Sequence, residues 1–149
     1  NRRNGWYLQQ LLKLYAGIVI PTILKRYLVI DADTFFMKPT SFIKNNKCLY
    51  NYGHEYNKLY FKHMAKLDKD LIKVDKNKSG ISHHMMFETK YIQLLFNKIE
   101  DAHNDIFYNV FLKNVSSEDI LKSGASEYEL YFNFMLKYYN NEIIIRELQ

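Results

Sequence analysis

An apolar run, Tyr27-Leu28-Val29-Ile30, ends in two carboxylates spaced by one alanine, Asp31-Ala32-Asp33. The run is β-branched and aromatic, with no polar alternation. It reads as a strand buried on both faces of a sheet. In an open α/β sheet, ligands sit outside the carboxyl ends of the strands. Asp31 and Asp33 fall at such an end. Taken alone, Asp-x-Asp is also the pattern of a loop in which one acid caps a turn. The apolar strand ahead of it favours a site where the acids meet a cation. Magnesium or manganese, held by one or two carboxylates plus substrate phosphates, is the usual occupant of an all-oxygen site.

The rest of the chain alternates helical and extended patterns. Trp6, Leu8, Leu11, Leu12 and Tyr15 share overlapping helical faces, with Gln9, Gln10 and Lys13 opposite. This predicts an amphipathic helix stopped by Gly17 and Pro21. Lys38-Pro39-Thr40-Ser41 marks a turn, and Phe42-Ile43 a short helical turn. Cys48 to Tyr52 reads as a strand, Glu55 to Leu71 as a long helix, and Ile81 to Phe87 as a third strand. Helices follow over Glu88 to Asp101 and Phe107 to Leu112. After a polar loop from Ser116 to Ala125, Ser126 and Glu129 form a capping box ahead of an apolar helix. Ile143-Ile144-Ile145 closes the series as a strand. The expected architecture is a single α/β domain over residues 1–149, with a mixed, mostly parallel sheet flanked by helices.

A length of 149 residues suits one domain with a real core. The net charge of +5 could favour anionic ligands. The lysines are scattered among acids, however, with no arginine-rich stripe, so nucleic acid is not the expected partner. One cysteine, Cys48, excludes an intrachain disulfide and a multi-cysteine metal site. A reducing compartment is compatible with that, which favours the cytoplasm over secretion without fixing a location. No stretch reaches the roughly 18 to 20 apolar residues of a membrane span.

Two further segments carry candidate chemistry. In Ser79-Gly80-Ile81-Ser82-His83-His84, Gly80 permits close approach of a ligand. His83 and His84 are adjacent, so on a strand they point to opposite faces and only one can line a given site. In Ser126-Glu127-Tyr128-Glu129, both acids lie where a helix macrodipole favours negative charge. Glu129 is accounted for by the capping box. Glu127 is free of that duty and is the better candidate for a general base or a sugar contact.

The order of these elements resembles nucleotide-sugar glycosyltransferases of the A-type, Rossmann-like fold. The resemblance rests on the apolar strand with Asp31-Ala32-Asp33, then Pro39, Ser79-Gly80-Ile81, Met86-Phe87, and Ser126-Glu127-Tyr128-Glu129 opening a helix. The helix Gly5 to Leu14 is similar to the one that precedes the metal motif in such enzymes. The resemblance implies manganese or magnesium at Asp31 and Asp33, holding the diphosphate of a nucleotide-sugar donor. It implies donor or acceptor contacts from Asp31, Ser79, Gly80, His83, His84 and Glu129. Glu127 would be the catalytic base toward a carbohydrate or protein acceptor hydroxyl. It further implies that this chain is the carboxy-terminal part of a catalytic domain, the nucleoside-binding half lying before Asn1. The rival readings are a metal-dependent phosphohydrolase or nucleotidyltransferase, for which Asp119 and Lys122 would be recruited, and a non-catalytic sugar-nucleotide-binding module.

Overall fold

The computed structural model describes residues 3–147. Helix α1 (Asn4–Val19) leads to strand β1 (Arg26–Ile30). A hairpin follows, β2 (Ile43–Lys44) and β3 (Lys47–Tyr52), then α2 (Lys58–Leu67). Strand β4 (His84–Glu88) runs straight into α3 (Thr89–His103), followed by α4 (Phe107–Lys113) and α5 (Glu127–Tyr138). A 3₁₀ turn (Asn140–Glu142) delivers the chain to β5 (Ile143–Glu147).

The chain is a mixed α/β protein, with two small sheets among the described residues. β1 pairs antiparallel with β4, and β3 lies between β2 and β5. β2 pairs antiparallel with β3, whereas β3 and β5 are parallel, Cys48 opposite Ile143. Two of the three pairings are therefore antiparallel, against the expectation of a mostly parallel sheet. The cause is partly local. Lys44-Asn45-Asn46-Lys47 turns with positive φ at both asparagines, 51° and 58°. That is the geometry of a two-residue I′ hairpin, which joins antiparallel strands and which asparagine tolerates. Ile43, expected in a helical turn, is accordingly in β2. β1 is also not buried on both faces, because Ile30 is exposed and Leu28 only partly covered.

Other boundaries follow side-chain chemistry. α1 runs through Gly17 and ends before Pro21, whose ring disfavours helix at the preceding residue. Gly17 is required for contact with β1. A Cβ there would lie 2.4 Å from the Tyr27 hydroxyl oxygen, which accepts a hydrogen bond from the Gly17 N–H at 3.1 Å. α2 is shorter than its apolar pattern. Asn57 caps its start by accepting from the Leu59 N–H, and Asp68 draws the Asp70 N–H into a competing turn at its end. The third strand likewise begins only at His84 rather than Ile81.

α5 is the central element. Every residue from Glu127 to Met135 is buried. It packs on α1, α2 and α3, so it is enclosed on several sides. Tyr131 and Phe132 of α5, Phe87 of β4 and Tyr50 of β3 are among the largest fully buried side chains. A helix this enclosed carries its polar residues into the interior, where each needs a partner. Glu127, Glu129 and Asn133 are those residues. No helix among the described residues is long and apolar enough to cross a membrane.

Candidate functional site

Asp31 leaves the end of β1 with its backbone fixed on both sides. Its N–H donates to the His83 carbonyl at 2.9 Å, and its own carbonyl accepts from the Thr34 N–H at 2.9 Å. The start of β4 therefore holds the aspartate turn in place. Behind it, α1 contributes Lys13, whose ammonium bonds Oδ1 of Asp31 and lies 2.7 Å from Oε1 of Glu127. The Tyr128 hydroxyl donates to the same Asp31 oxygen at 3.3 Å, and Lys13 sits 4.4 Å over the Tyr128 ring. Nδ1 of His83 faces the other Asp31 oxygen at 3.3 Å.

These groups line a cavity of about 600 Å³. Asp33 lines it too, exposed and without a side-chain partner among the described residues. Trp6, Tyr60 and Ile81 add apolar wall. A few charged groups converging on an apolar-walled cleft is the usual form of a small-molecule site.

The electrostatics are set by burial. Glu127 is 2 % exposed. Burial pushes its carboxyl up, Lys13 pulls it down, and the net direction is upward. Burial pushes the Lys13 ammonium down, but Glu127 and Asp31 outweigh it, and Lys13 ends above its ordinary value. Burial, followed by the charge of Glu127, drives the Tyr128 phenol far up, so Tyr128 stays protonated and can donate to Asp31. α1 also braces the backbone of this corner. Gln10 accepts the Glu127 N–H at 3.0 Å, Trp6 donates to the Ala125 carbonyl at 3.0 Å, and the Tyr7 hydroxyl accepts the Gly124 N–H at 3.0 Å.

Among the described residues, no three His, Cys, Asp or Glu side chains gather into a protein-only metal cage. The donor set instead fits a hard divalent ion held by one or two carboxylates and completed by substrate phosphates. Asp33 is free to bind such an ion. Asp31 already carries Lys13 on one oxygen, which leaves Oδ2 beside His83.

The family profile DUF6492 matches residues 2–145. The chain belongs to DUF6492, a family of unknown function. No curated protein and no solved structure matches it.

In this DUF6492 chain, Asp31, Asp33, His83 and Glu127 are brought together at the cavity. Ser79, Gly80 and Glu129 are not among its lining residues. The Ser79 hydroxyl donates to Oε2 of Glu129 at 2.7 Å, and both side chains are fully buried. Asn133 donates to Oε1 of Glu129 at 2.8 Å. The expected capping box is thus half formed. Ser126 accepts the Glu129 N–H at 3.2 Å, while the Glu129 carboxylate is occupied with Ser79 and Asn133. The close approach that Gly80 permits is to α5, since a Cβ there would lie 2.4 Å from the Phe132 Cβ. His84 is buried and turned from this cavity, with Nε2 3.3 Å from Oδ1 of Asn51 and its ring edge-on to Phe36 and Phe42. Asp119 pairs with Lys62 at 3.1 Å and Lys122 at 3.5 Å and lines no part of the cleft.

Lys13, Gln10, Tyr60 and Tyr128 were not singled out by sequence. The helical reading of α1 holds only in part: Trp6, Leu11 and Tyr15 pack against the core, but two of its leucines and a glutamine change places. Leu8 and Leu12 are 57 % and 60 % exposed, while Gln10 is 2 % exposed. A signal was present in the spacing. Trp6, Gln10 and Lys13 stand at i, i+4 and i+7, one face of a helix.

Proposed function

We propose that this protein is a metal-dependent glycosyltransferase of the Rossmann-like A-type fold, acting on a nucleotide-sugar donor. The observation that carries the reading is the convergence of Asp31, Lys13 and Glu127 on one cavity beside the unpaired Asp33. Asp33, with the Asp31 oxygen that faces His83, would hold manganese or magnesium. The ion, when bound, neutralises charge that develops on the departing diphosphate.

The chain's own residues supply the rest. The acceptor hydroxyl oxygen bonds to the anomeric carbon as the bond from that carbon to the phosphate oxygen breaks. The bonding pair leaves with the nucleoside diphosphate. Glu127 takes the acceptor proton if configuration inverts, and its raised basicity suits that task. Lys13 keeps Glu127 and Asp31 fixed and adds positive charge near the leaving group. Trp6, Tyr60 and Tyr128 offer ring faces to the sugar or base.

One observation favours a non-catalytic sugar-nucleotide-binding module instead. The Lys13 ammonium already stands between two carboxylates, where a cation would otherwise be needed. Hydrolysis of nucleotide sugars, assayed with and without manganese, separates the readings. Manganese-dependent release of nucleoside diphosphate, lost in Asp33→Asn, supports the enzyme. Manganese-dependent binding with no release supports the module. No binding of any nucleotide sugar removes both.

A further inference from the structure

His83 lines a second cavity on its other side, of about 640 Å³. The first cavity is rich in carboxylates, whereas this one presents Lys38 and Arg146. Among the described residues, neither cation has a carboxylate partner. Arg146 directs Nε to Oδ1 of Asn51 at 3.1 Å, and its Nη2 is buried with no acceptor. Glu147, the acid at the rim, faces His54 instead at 3.1 Å. A buried guanidinium nitrogen without an acceptor is costly, and fork geometry suits carboxylate or phosphate. His84, the remaining titratable group here, is held toward neutrality by burial and then by the Arg146 charge. The wall is aromatic. Phe36 packs edge-on to Phe42 and His84, and Phe35 is 79 % exposed at the mouth. An exposed ring beside unpaired cations suits a ligand with an apolar ring face and one anionic group.

We propose that this second cavity binds a sugar ring bearing a phosphate or carboxylate group. Arg146 and Lys38 hold the anion, and Phe35 and Phe36 cover the ring face. Its role as acceptor subsite rests on the glycosyl-transfer reading, with His83 at the boundary between acceptor and donor. Binding itself does not rest on that reading.

The test is titration of the protein with a hexose 6-phosphate, a hexuronate and the neutral hexose, followed by calorimetry and amide chemical shifts. The charged sugars are expected to bind without metal and the neutral hexose not to. The tighter of the two identifies the anion. Loss of one charged contact in Lys38→Ala or Arg146→Gln should weaken binding about tenfold or more. Lys38 is exposed, so its variant keeps the fold even if the Arg146 variant does not. Asp33→Asn should leave this binding unchanged. No saturable binding up to roughly 10 mM, near the weakest affinities worth calling specific, would overturn the proposal. So would equal binding of the neutral hexose, or loss of binding in Asp33→Asn. If the charged hexose binds as expected while nucleotide sugars do not bind, the transfer reading falls and the anion subsite stands. The reverse result removes the subsite alone.

Discussion

Nζ of Lys13 lies 2.7 Å from Oε1 of Glu127, an ion pair buried between α1 and α5 that joins residues 114 positions apart. Their side chains are 12 % and 2 % exposed. Removing one partner strands the other in the interior. Lys13→Met should destabilise the protein by about 3 kcal/mol at neutral pH. The sign with pH follows. Without Lys13, burial and the Asp31 charge are opposed only by a backbone hydrogen bond, and the folded value of Glu127 lies further above the unfolded one. A raised carboxyl weakens the fold above its unfolded value, and the deficit shrinks as protonation sets in toward about pH 4. Denaturant titrations of both proteins across that range check it. A deficit that grows on acidification would show that Lys13 does not neutralise Glu127.

Glu127 and Glu129 sit two residues apart with different surroundings. On the proposed glycosyl transfer, Glu127→Gln should lower turnover by about 10²-fold or more, the lower range for loss of a general base. Glu129→Gln should act on stability, by roughly 1 to 3 kcal/mol, because it weakens the charged bonds to Ser79 and Asn133. Parallel kinetics and melting curves distinguish them. Normal turnover in the first variant, with a dead but fully stable second, would reverse the assignment.

The adjacent histidines should separate in the same way. His83 is largely exposed and faces Asp31, so His83→Ala should change stability by less than about 0.5 kcal/mol and, on the proposed function, lower activity. His84 packs against Phe36 and Phe42, and His84→Ala should cost roughly 1 to 3 kcal/mol. Small and equal effects at both positions would contradict the geometry.

His63 supplies a pH-dependent term away from the cavity. Burial lowers its folded value to about 4, while Nε2–H donates to the Phe111 carbonyl at 2.8 Å. The unfolded chain takes the proton near the ordinary value, about 6.5. Unfolding therefore gains a proton as pH falls, and stability is lost from about pH 6.5 down to about pH 4. Between about pH 7 and about pH 5 this one group should remove about 2 kcal/mol. His63→Gln keeps a donor and should flatten that slope. An unchanged slope in the variant would assign it to other groups.

The element pattern was largely legible in the sequence. The strand ending at Asp31, the N-cap at Ser126 and the terminal strand at Ile143 are set by residues within a turn or two of one another. Asp31, Asp33, His83 and Glu127, which the sequence marked as candidates, do line one cavity. The sheet polarity was not legible. It turns on how β1 meets β4 across more than fifty residues and on two consecutive left-handed asparagines. The inner face of α1 was misjudged for a related reason. Apolar periodicity assumes that the buried face is the greasy one. Here α1 packs on the start of α5, whose buried carboxylate and backbone N–H need Lys13 and Gln10 more than leucine. Local sequence thus determined most of the helices and strands, though not all their bounds, and which acids end a strand. Only the tertiary structure decided which charge each buried acid meets, because a buried carboxylate is satisfied by whatever packing brings beside it, not by its neighbours in the chain.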